Sequence, residues 1–532
     1  MAEPAPAAAA PLSLPLPDRP ASPWKAAALV LAGGLGIAAC FLRFSLWPLA
    51  WVAFAPILLS LRGETSRSRA VRLGLVAGLA TNVPAFAWLV ETIHLFGGFP
   101  LWLSTLFYLS LSLYSAMQFV LFALAVQRTG PGPAAIYPAL YWVSLEFFYP
   151  NLFPWRLANS QLEVPTLLQV GDLTGPFGLS LLMVWGSGVL ARGIAHGARA
   201  AAVALLLWLA ALGAVLGYGS WRLPRIEAAM EAAPPVRLGL VQGNLSIEEK
   251  GDVRYLEGNL DTYRRLSEAL APAPDVVIWP ESVITEALPR DLAQLSPAGR
   301  EILGLRRPLF AGALTFARDD AGEPRFFNSV LLFDAEGRVL GMSDKQILMP
   351  FGEYMPLASL LPWLKRASPQ TGDFQAGSRV IPLDVPGVGR FAPLNCYEDL
   401  RASIARRAIR DGDAEVLLAV ANDAWFGDTM APYQHEALAL WRAVENRRFL
   451  VRVTNTGVTD VIEPTGRVRR RLAVFEPAAA VEKVSRLRVS SPYTQLGDWF
   501  AWWVTATAVA VLLTSAGRRG RSERPSRPRR RA

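Results

Sequence analysis

The chain has 532 residues, of which 52% are hydrophobic, and its mean hydropathy of +0.27 excludes an ordinary soluble enzyme. Charged residues still make up 18% of the sequence, which excludes a chain that lies wholly in lipid. The formal net charge is +9, but residues 518–531 hold eight arginines and one glutamate, so seven of the nine charges lie in one tail. A short basic tail after an apolar segment is typical of membrane topology, so we do not expect nucleic acid as a partner.

The N-terminal half alternates apolar stretches with short polar connections. Residues 1–22 are rich in Ala and Pro and predict a disordered lead. Apolar stretches of about 17–25 residues can cross a bilayer as helices. The sequence predicts eight of them, at 25–42, 45–61, 72–93, 101–126, 133–149, 172–191, 200–218 and 498–516. We therefore divide the chain into the lead at 1–22, a transmembrane bundle of about seven helices at 23–221, a charged domain at 222–490, a last membrane helix at 491–516 and a basic tail at 517–532.

Basic residues mark every second connection between these spans. Arginines lie between spans two and three, four and five, six and seven, and after span eight. Because basic connections stay on the cytoplasmic side of a membrane, we expect both termini to be cytoplasmic. The domain at 222–490 is then extracytoplasmic.

The first apolar run also permits a second interpretation. Residues 37–40, with the sequence IAAC, resemble the end of a lipoprotein signal peptide whose lipidated residue would be Cys40. The apolar sequence continues past Cys40, which favours a hairpin of two membrane helices instead.

Short β-like runs begin at residue 236 and alternate with helical patterns. They are found at 236–244, 275–282, 308–316, 329–348, 389–399 and 415–427, and helical sequence covers 399–410 and 433–448. Alternating strands and helices predict a layered α/β domain.

Cys396 is the first chemical candidate in this domain. The chain has only two cysteines, and the predicted topology separates them, so a disulfide framework is not expected. The strand FAPLN runs into Cys396 and then into helical sequence. A cysteine at such an elbow meets the N-terminus of a helix, where the dipole favours a thiolate and backbone N–H groups can hold an oxyanion. A lone cysteine is otherwise read as a small buried residue.

A nucleophilic cysteine needs a base. The domain's single histidine, His435, lies within the helical pattern at 433–448, where a helix-face or supporting position is favoured. Glu281 ends the apolar run VVIWP, and loss of hydration at the edge of a core makes a carboxylate a better proton acceptor. Lys345 follows the hairpin-like run at 329–348 and comes shortly before Glu353. For Glu281, Lys345 or Glu353 taken alone, a structural role is the favoured interpretation. Their joint occurrence with the cysteine elbow instead favours a catalytic role.

The order Glu, Lys, Cys resembles the nitrilase superfamily of carbon–nitrogen hydrolases. The motifs are WPES with Glu281, SDKQILMPFGEYMP with Lys345 and Glu353, and LNCYED with Cys396. Together with NDAWFGDTMAPYQH at 422–435 and the N-terminal spans, they make the chain similar to the apolipoprotein N-acyltransferase family, the membrane-integral branch. One departure lies at Lys250-Gly251, where the family commonly has Lys-Trp, and it puts one substrate contact in doubt.

The resemblance implies a nitrilase-like αββα sandwich on the periplasmic side of the inner membrane. It also implies transfer of a fatty acyl chain from a membrane phospholipid to the N-terminal amine of a diacylglyceryl-cysteine apolipoprotein, by a monomer without metal or other cofactor. Glu281, Lys345 and Cys396 would be the base, the oxyanion-stabilising cation and the nucleophile that forms a thioester. The backbone N–H of Tyr397 would be a second oxyanion donor. Glu353, Tyr397 and Glu398 would support the triad, with their individual roles left open.

Two other functions remain open at this point. A membrane-tethered amide or nitrile hydrolase would use the same Glu-Lys-Cys triad and transfer the acyl group to water. A transporter or receptor with an extracytoplasmic binding domain would place paired polar groups deep in the spans and leaves the cysteine elbow unexplained.

The segment at 356–374 is the last feature of the sequence that bears on function. It combines leucines and Trp363 with Lys365 and Arg366. That pattern suits an arm that dips into the membrane interface, and an ordinary buried loop is the alternative.

Overall fold

A computed structural model describes residues 20–246, 255–356, 358–367 and 371–522. Most of the predicted lead, the Lys250-Gly251 departure and the end of the predicted basic tail lie outside the described residues.

The first half of the chain is helical. Its helices are α1 (Pro23–Leu42), α2 (Phe54–Leu61), α3 (Arg67–Ala85), α4 (Leu89–Gly97), α5 (Leu101–Thr129), α6 (Tyr137–Phe148), α7 (Pro165–Leu168), α8 (Gly171–Thr174), α9 (Phe177–His196) and α10 (Ala198–Ala232). Short 3₁₀ segments at Phe44–Trp51, Pro133–Ala135 and Leu157–Gln161 connect some of them.

Among the described residues, five helical segments are long and apolar enough to span a membrane, or six if α3 and the bent α4 form one span. The chain is therefore a membrane protein with fewer full-length spans than the eight predicted. The fifth predicted span is wrong as a full crossing because α6 has only 12 residues. The eighth corresponds to a shorter apolar helix, Trp499–Ser515.

Small residues allow the membrane helices to approach closely. A Cβ atom added at Gly78 of α3 would lie 2.6 Å from the Cα of Ala116 in α5, so only glycine fits this crossing. Close backbone approach is how membrane helices gain packing energy without a hydrophobic driving force between them.

The basic connections gather at one end of the bundle. Arg69, at the start of α3, donates a hydrogen bond to the carbonyl of Ala21, just before α1. Gln127, near the end of α5, donates to the carbonyl of Thr65 at 2.8 Å. The chain start, the second connection and the end of α5 therefore lie on the same side.

The second half is an α/β domain followed by a last helix. Its strands are β1 (Pro235–Gln242), β2 (Val276–Ile278), β3 (Ile284–Pro289), β4 (Leu309–Arg318), β5 (Pro324–Phe333), β6 (Val339–Asp344), β7 (Leu383–Val385), β8 (Gly389–Asn395), β9 (Val416–Ala421), β10 (Phe449–Thr454), β11 (Asp460–Ile462), β12 (Val468–Arg471) and β13 (Ala478–Ser485). Its helices are α11 (Leu256–Glu268), α12 (Pro297–Ile302), α13 (Trp363–Ala367), α14 (Ala402–Arg410), α15 (Ala431–Ala439), α16 (Trp441–Asn446), α17 (Pro492–Leu496) and α18 (Trp499–Ser522).

These strands form two open sheets. The first sheet has the order β13-β1-β2-β4-β5-β6, with β3 also paired to β4, and the second has the order β12-β11-β10-β9-β8-β7. The predicted strand runs correspond to β1, β2, β4, β5, β6, β8 and β9, whereas β3, β7 and every strand after β9 were not predicted.

Side-chain alternation along the strands builds a four-layer sandwich. In β9, Val416, Leu418 and Val420 pack between the two sheets, while Leu417 and Ala419 face the core shared with α14, α15 and α16. On the outer face of the first sheet, Leu260 and Tyr263 of α11 pack beneath the strands. The layers are therefore αββα, as predicted.

A buried ionic cluster joins the domain to the bundle. Asp172 of α8 accepts a hydrogen bond from Arg447 Nε at 2.9 Å and another from Arg222 Nε at 2.8 Å. Tyr218 donates to the other carboxylate oxygen of Asp172 at 2.6 Å. Such a fully paired buried carboxylate fixes how the α/β domain sits on the membrane helices.

Candidate active site

Cys396 lies at a sharp turn directly after β8. Its backbone has φ of +50°, a left-handed conformation that is strained for a residue with a side chain and is typical of a nucleophile elbow. The side chain remains partly exposed. The strand ends one residue earlier, at Asn395, so the thiol lies at the carboxyl end of β8.

The structure corrects two expectations about this elbow. The chain after Cys396 forms a 3₁₀ turn over Cys396–Leu400, and the α-helix begins only at Ala402. Burial and the charge of Glu281 raise the pKa of the Cys396 thiol well above its usual value, with Lys345 acting in the opposite direction. The resting nucleophile is therefore a neutral thiol, not a dipole-stabilised thiolate, and its attack requires a base.

Glu281 and Lys345 come from two strands of the first sheet that are separated by β4 and β5. Glu281 follows β2, Lys345 follows β6, and the Lys345 ammonium lies 3.1 Å from Glu281 Oε1. Lys345 is 2% exposed. Burial alone would lower its pKa, but the carboxylates of Glu281 and Glu353 raise it well above the usual value. Lys345 is therefore a permanent cation that can stabilise a developing negative charge.

Glu353 is the second carboxylate of this cation. Its Oε2 lies 2.9 Å from Lys345 Nζ and also accepts the N–H of Met349 at 2.8 Å. Lys345 is thus held between two acids on separate segments. This contact places Glu353 where it can orient Lys345.

Asn328, on β5, connects the members of the site, and no motif in the sequence predicts it. Its side-chain amide donates to Glu281 Oε1 at 2.9 Å and to Glu353 Oε1 at 2.8 Å. Its side-chain carbonyl accepts a hydrogen bond from Asn395, the residue before the nucleophile, at 2.8 Å. The only signal in the sequence is a polar residue that precedes the apolar second half of this strand.

Glu398 has a different role from Glu353. It accepts the N–H of Asn395 through Oε2 at 2.9 Å, and the N–H groups of Gln346 and Ile347 through Oε1 at 2.7 and 3.3 Å. Burial raises the pKa of Glu398 to about 7 against the opposing effect of these hydrogen bonds. One carboxylate therefore ties the segment after Lys345 to the strand that ends at the nucleophile.

Tyr397 points from the elbow towards the membrane helices. Its hydroxyl donates to the carbonyl of Leu152 at 2.5 Å, and its ring meets Phe153 edge-on with 6.5 Å between centroids. Phe153 in turn contacts Trp88 and Phe426, at 5.4 and 6.2 Å between centroids. Trp88, Phe153 and Phe426 also line a small apolar cavity between the bundle and the domain. A series of aromatic contacts therefore runs from Tyr397, next to Cys396, to the membrane helices.

His435 forms a buried cluster behind the elbow. Its Nδ1 lies 2.9 Å from Asp423 Oδ1 and its Nε2 lies 2.8 Å from Asp399 Oδ1. Arg452 pairs with the other oxygen of Asp399. Because both ring nitrogens face carboxylates, both must donate, so the ring is an imidazolium. Burial would lower the pKa of His435, but Asp399 and Asp423 raise it to about 9.

His435 therefore has a supporting position, as the sequence favoured, and it links the 3₁₀ turn after Cys396 to the turn at Asp423–Phe426. In the described part of the chain, no three His, Cys, Asp or Glu side chains are arranged to hold a metal ion.

The middle of the predicted arm is exposed, whereas Thr371 near its end is buried. Leu360 is 74% exposed and Trp363 is 57% exposed. The alternative of a buried loop is therefore wrong for these residues, while 357 and 368–370 lie outside the described range.

Two family matches divide the chain at the boundary between its two halves. Residues 6–189 match the apolipoprotein N-acyltransferase N-terminal domain, and residues 237–484 match the carbon-nitrogen hydrolase family.

Curated relatives match almost the whole chain. An apolipoprotein N-acyltransferase of Geobacter metallireducens is 35% identical over 94% of this chain and 96% of its own length. The protein of the same name from Azotobacter vinelandii is 33% identical over the same shares. That from Pseudomonas aeruginosa is 31% identical over 90% of this chain and 93% of its own.

Proposed function

The chain belongs to the apolipoprotein N-acyltransferase family, and from this premise we propose that Cys396 carries a fatty acyl chain from a membrane glycerophospholipid to an apolipoprotein. The acceptor is the N-terminal α-amino group of a diacylglyceryl-cysteine. The enzyme is an acyltransferase with a carbon–nitrogen hydrolase domain. The observation that carries the proposal is the meeting of Glu281, Lys345 and Cys396 where the two sheets are linked, with aromatic contacts that run from Tyr397 to the membrane helices.

The first half-reaction forms a thioester. Glu281 accepts the proton of the Cys396 thiol as the sulfur attacks the ester carbonyl carbon of the phospholipid. The ammonium of Lys345 and the N–H of Tyr397 stabilise the oxyanion, since the first N–H groups of a helical turn lack partners within the turn. The tetrahedral intermediate collapses with cleavage of the C–O bond, and the lysophospholipid oxygen takes the proton from Glu281.

The second half-reaction forms the amide. The amine of the acceptor attacks the thioester carbonyl, the C–N bond forms, and Glu281 takes a proton from the amine. The C–S bond then breaks and the proton returns to the thiolate of Cys396. A thioester reacts readily with amines while the amide product does not, so the reaction runs towards acylated lipoprotein. The sequence of steps is ping-pong and uses a single chain.

We place the catalytic domain on the periplasmic side of the inner membrane. The connection that holds Arg69 and the end of α5, where Gln127 precedes Arg128, gather at one end of the bundle, and positive connections remain cytoplasmic. The α/β domain follows α10 and precedes α18, both of which have their other ends on the basic side. This orientation exposes the Cys396 elbow to lipid and lipoprotein outside the cytoplasm.

The activity is tested with a synthetic diacylglyceryl-cysteine peptide and phospholipid in detergent micelles. We expect a peptide whose mass increases by one acyl group on its amine, and no product with Cys396→Ala. Release of free fatty acid without amide formation, in the presence of the acceptor, would instead support a hydrolase with the same triad.

A further inference from the structure

Arg401 is a cation on the catalytic elbow that the proposed chemistry does not use. It stands between the 3₁₀ turn that begins at Cys396 and the helix α14. Its guanidinium carbon lies 4.6 Å from the centre of the Tyr397 ring, and its Nη2 donates to the Tyr397 hydroxyl. Tyr397 is covalently next to the nucleophile. The guanidinium is therefore fixed relative to the reacting sulfur.

This guanidinium has no acidic partner among the described residues. No carboxylate of the described chain lies within 4.0 Å of it, and its Nε has no hydrogen-bond partner. Arg406 and Arg410, on the following helix α14, both have fixed protein partners. Arg406 donates to the carbonyls of Thr494 and Gln495, while Arg410 pairs with Asp411 at 2.7 Å. Arg401 is partly exposed, so its charge is available to a ligand.

The surroundings of Arg401 place it at the level of lipid headgroups. The Tyr397 hydroxyl binds the carbonyl of Leu152, in the connection that follows α6. At the end of α6, Phe148 packs against Trp502 of α18 with 5.0 Å between ring centroids, and both side chains are exposed. Exposed aromatic side chains at helix ends are typical of the membrane interface. The elbow therefore lies where a phosphate and an ester group of a lipid can both reach it.

Tyr397 separates a charged side from an apolar side. Arg401 covers its ring face, while Phe153 approaches its edge and continues into the aromatic wall formed with Trp88 and Phe426. A ligand that fits both sides has an anion within a few bonds of an apolar chain. Glycerophospholipids have this form, with the phosphodiester close to the ester carbonyl.

We propose that Arg401 binds the phosphodiester of the acyl donor and so positions its ester carbonyl at Cys396. This inference rests on the proposed function and makes it more specific. Arginine suits the role because its planar, permanently charged fork can donate two hydrogen bonds to phosphate oxygens. The contact selects a phosphate-bearing lipid over a neutral acyl ester, and Arg401 is a binding residue that takes no part in bond making.

The test compares two acyl donors in the full-length protein. One is phosphatidylethanolamine, and the other is p-nitrophenyl palmitate, an activated ester without phosphate. The rate of acyl-Cys396 formation is measured by mass spectrometry for wild type, Arg401→Gln, Arg401→Lys and Arg410→Gln. Arg401→Gln should lower kcat/KM for the phospholipid on the order of 10- to 100-fold, the range expected for a hydrogen bond to a charged group, and leave the phosphate-free ester unchanged. Arg401→Lys should keep part of the phospholipid activity, and Arg410→Gln should behave as wild type.

Equal losses of Arg401→Gln on both donors would assign Arg401 to support of Tyr397 and overturn the proposal. Unchanged phospholipid activity would overturn it as well. Inhibition of the p-nitrophenyl reaction by millimolar inorganic phosphate, absent in Arg401→Gln, would indicate a free-anion site instead of a lipid site. If Arg401→Gln does not fold, as judged by thermal unfolding in detergent, the phospholipid KM of Arg401→Lys is the test instead. An unchanged KM in Arg401→Lys would contradict phosphate binding by the guanidinium. Failure of wild type to form any acyl-Cys396 would refute the proposed function itself.

Discussion

The side-chain amide of Asn395 donates a 2.8 Å hydrogen bond to the side-chain carbonyl of Asn328. Asn395 ends β8 in the second sheet, and Asn328 lies on β5 in the first sheet. The bond therefore joins the sheet that carries the nucleophile to the sheet that carries the base and the cation. Because the other end of the Asn328 side chain donates to Glu281 and Glu353, one residue sets the relative position of the whole site.

Replacement of Asn328 tests this arrangement. Asn328→Ala removes a donor from two carboxylates and the acceptor of Asn395, and we expect the rate of acyl-Cys396 formation to fall about 10- to 100-fold. Asn328→Asp keeps the shape but adds a negative charge beside two others, so its loss should be larger. Single-turnover acylation followed by mass spectrometry measures both variants. If Asn328→Asp acylates as fast as wild type, Asn328 does not organise the site.

Glu398 provides a second test of the link between sheets. A glutamine at this position turns an NH₂ group towards backbone N–H donors, which leaves at least one of them unpaired at a cost of about 1–3 kcal/mol. We expect Glu398→Gln to lower the thermal unfolding temperature in detergent and to slow acylation about 10-fold. The matched control is Glu301→Gln, an exposed position on α12, which should change neither property. A Glu398→Gln variant with wild-type stability and rate would refute the linking role.

Lys345 should be required for the oxyanion. Removal of one preorganised donor to an oxyanion costs about 10²- to 10³-fold in rate, so Lys345→Ala should suppress acyl-Cys396 formation to that extent. The same change leaves two carboxylates without their cation and should also destabilise the protein. Lys345→Arg retains the charge and serves as the folding control. Normal thioester accumulation in folded Lys345→Ala would reject the oxyanion role.

The His435 cluster predicts a specific dependence of stability on pH. The folded-state pKa of His435, about 9, lies above the ordinary histidine pKa of 6.5. The charged ring therefore stabilises the fold fully below pH 6.5, and this stabilisation is lost as the pH rises from 6.5 through 9. The difference between these two pKa values corresponds to roughly 3 kcal/mol of folding stability.

Thermal unfolding of wild type and His435→Gln between pH 6 and 10 measures this dependence. We expect the stability of wild type to decline across that interval more steeply than that of the variant. Parallel curves would contradict a charged ring between Asp399 and Asp423.

The proposed catalytic residues can be picked out from the sequence because each lies at or shortly after the end of a strand. Glu281, Lys345 and Cys396 come after β2, β6 and β8, and polar residues at strand ends are visible in a sequence of apolar runs. Their supporting contacts were not predictable. Asn328 acts across two sheets, and hydrophobic periodicity says which face a residue occupies but not which strand of another sheet it meets.

The helix after Cys396 illustrates another limit. Residues 399–410 have helical composition, yet the first turn is 3₁₀ and Arg401 has an extended backbone, with φ of −101° and ψ of 100°. Glu398 holds this turn to the N–H groups of Asn395 and Gln346, so tertiary contacts override the local preference. The strand β12 was missed for a different reason, because its arginines suggest a solvent-exposed segment and it forms the edge of its sheet.

The most direct test of the account is the chemical state of Cys396 after exposure to phospholipid alone. Detergent-purified protein is incubated with phosphatidylethanolamine, digested, and analysed with and without hydroxylamine, which cleaves thioesters. The proposed mechanism predicts one acyl mass on the Cys396 peptide that hydroxylamine removes and that Cys396→Ala lacks. Continued absence of this adduct in folded protein, while acylated peptide still accumulates when acceptor is added, would contradict a thioester intermediate.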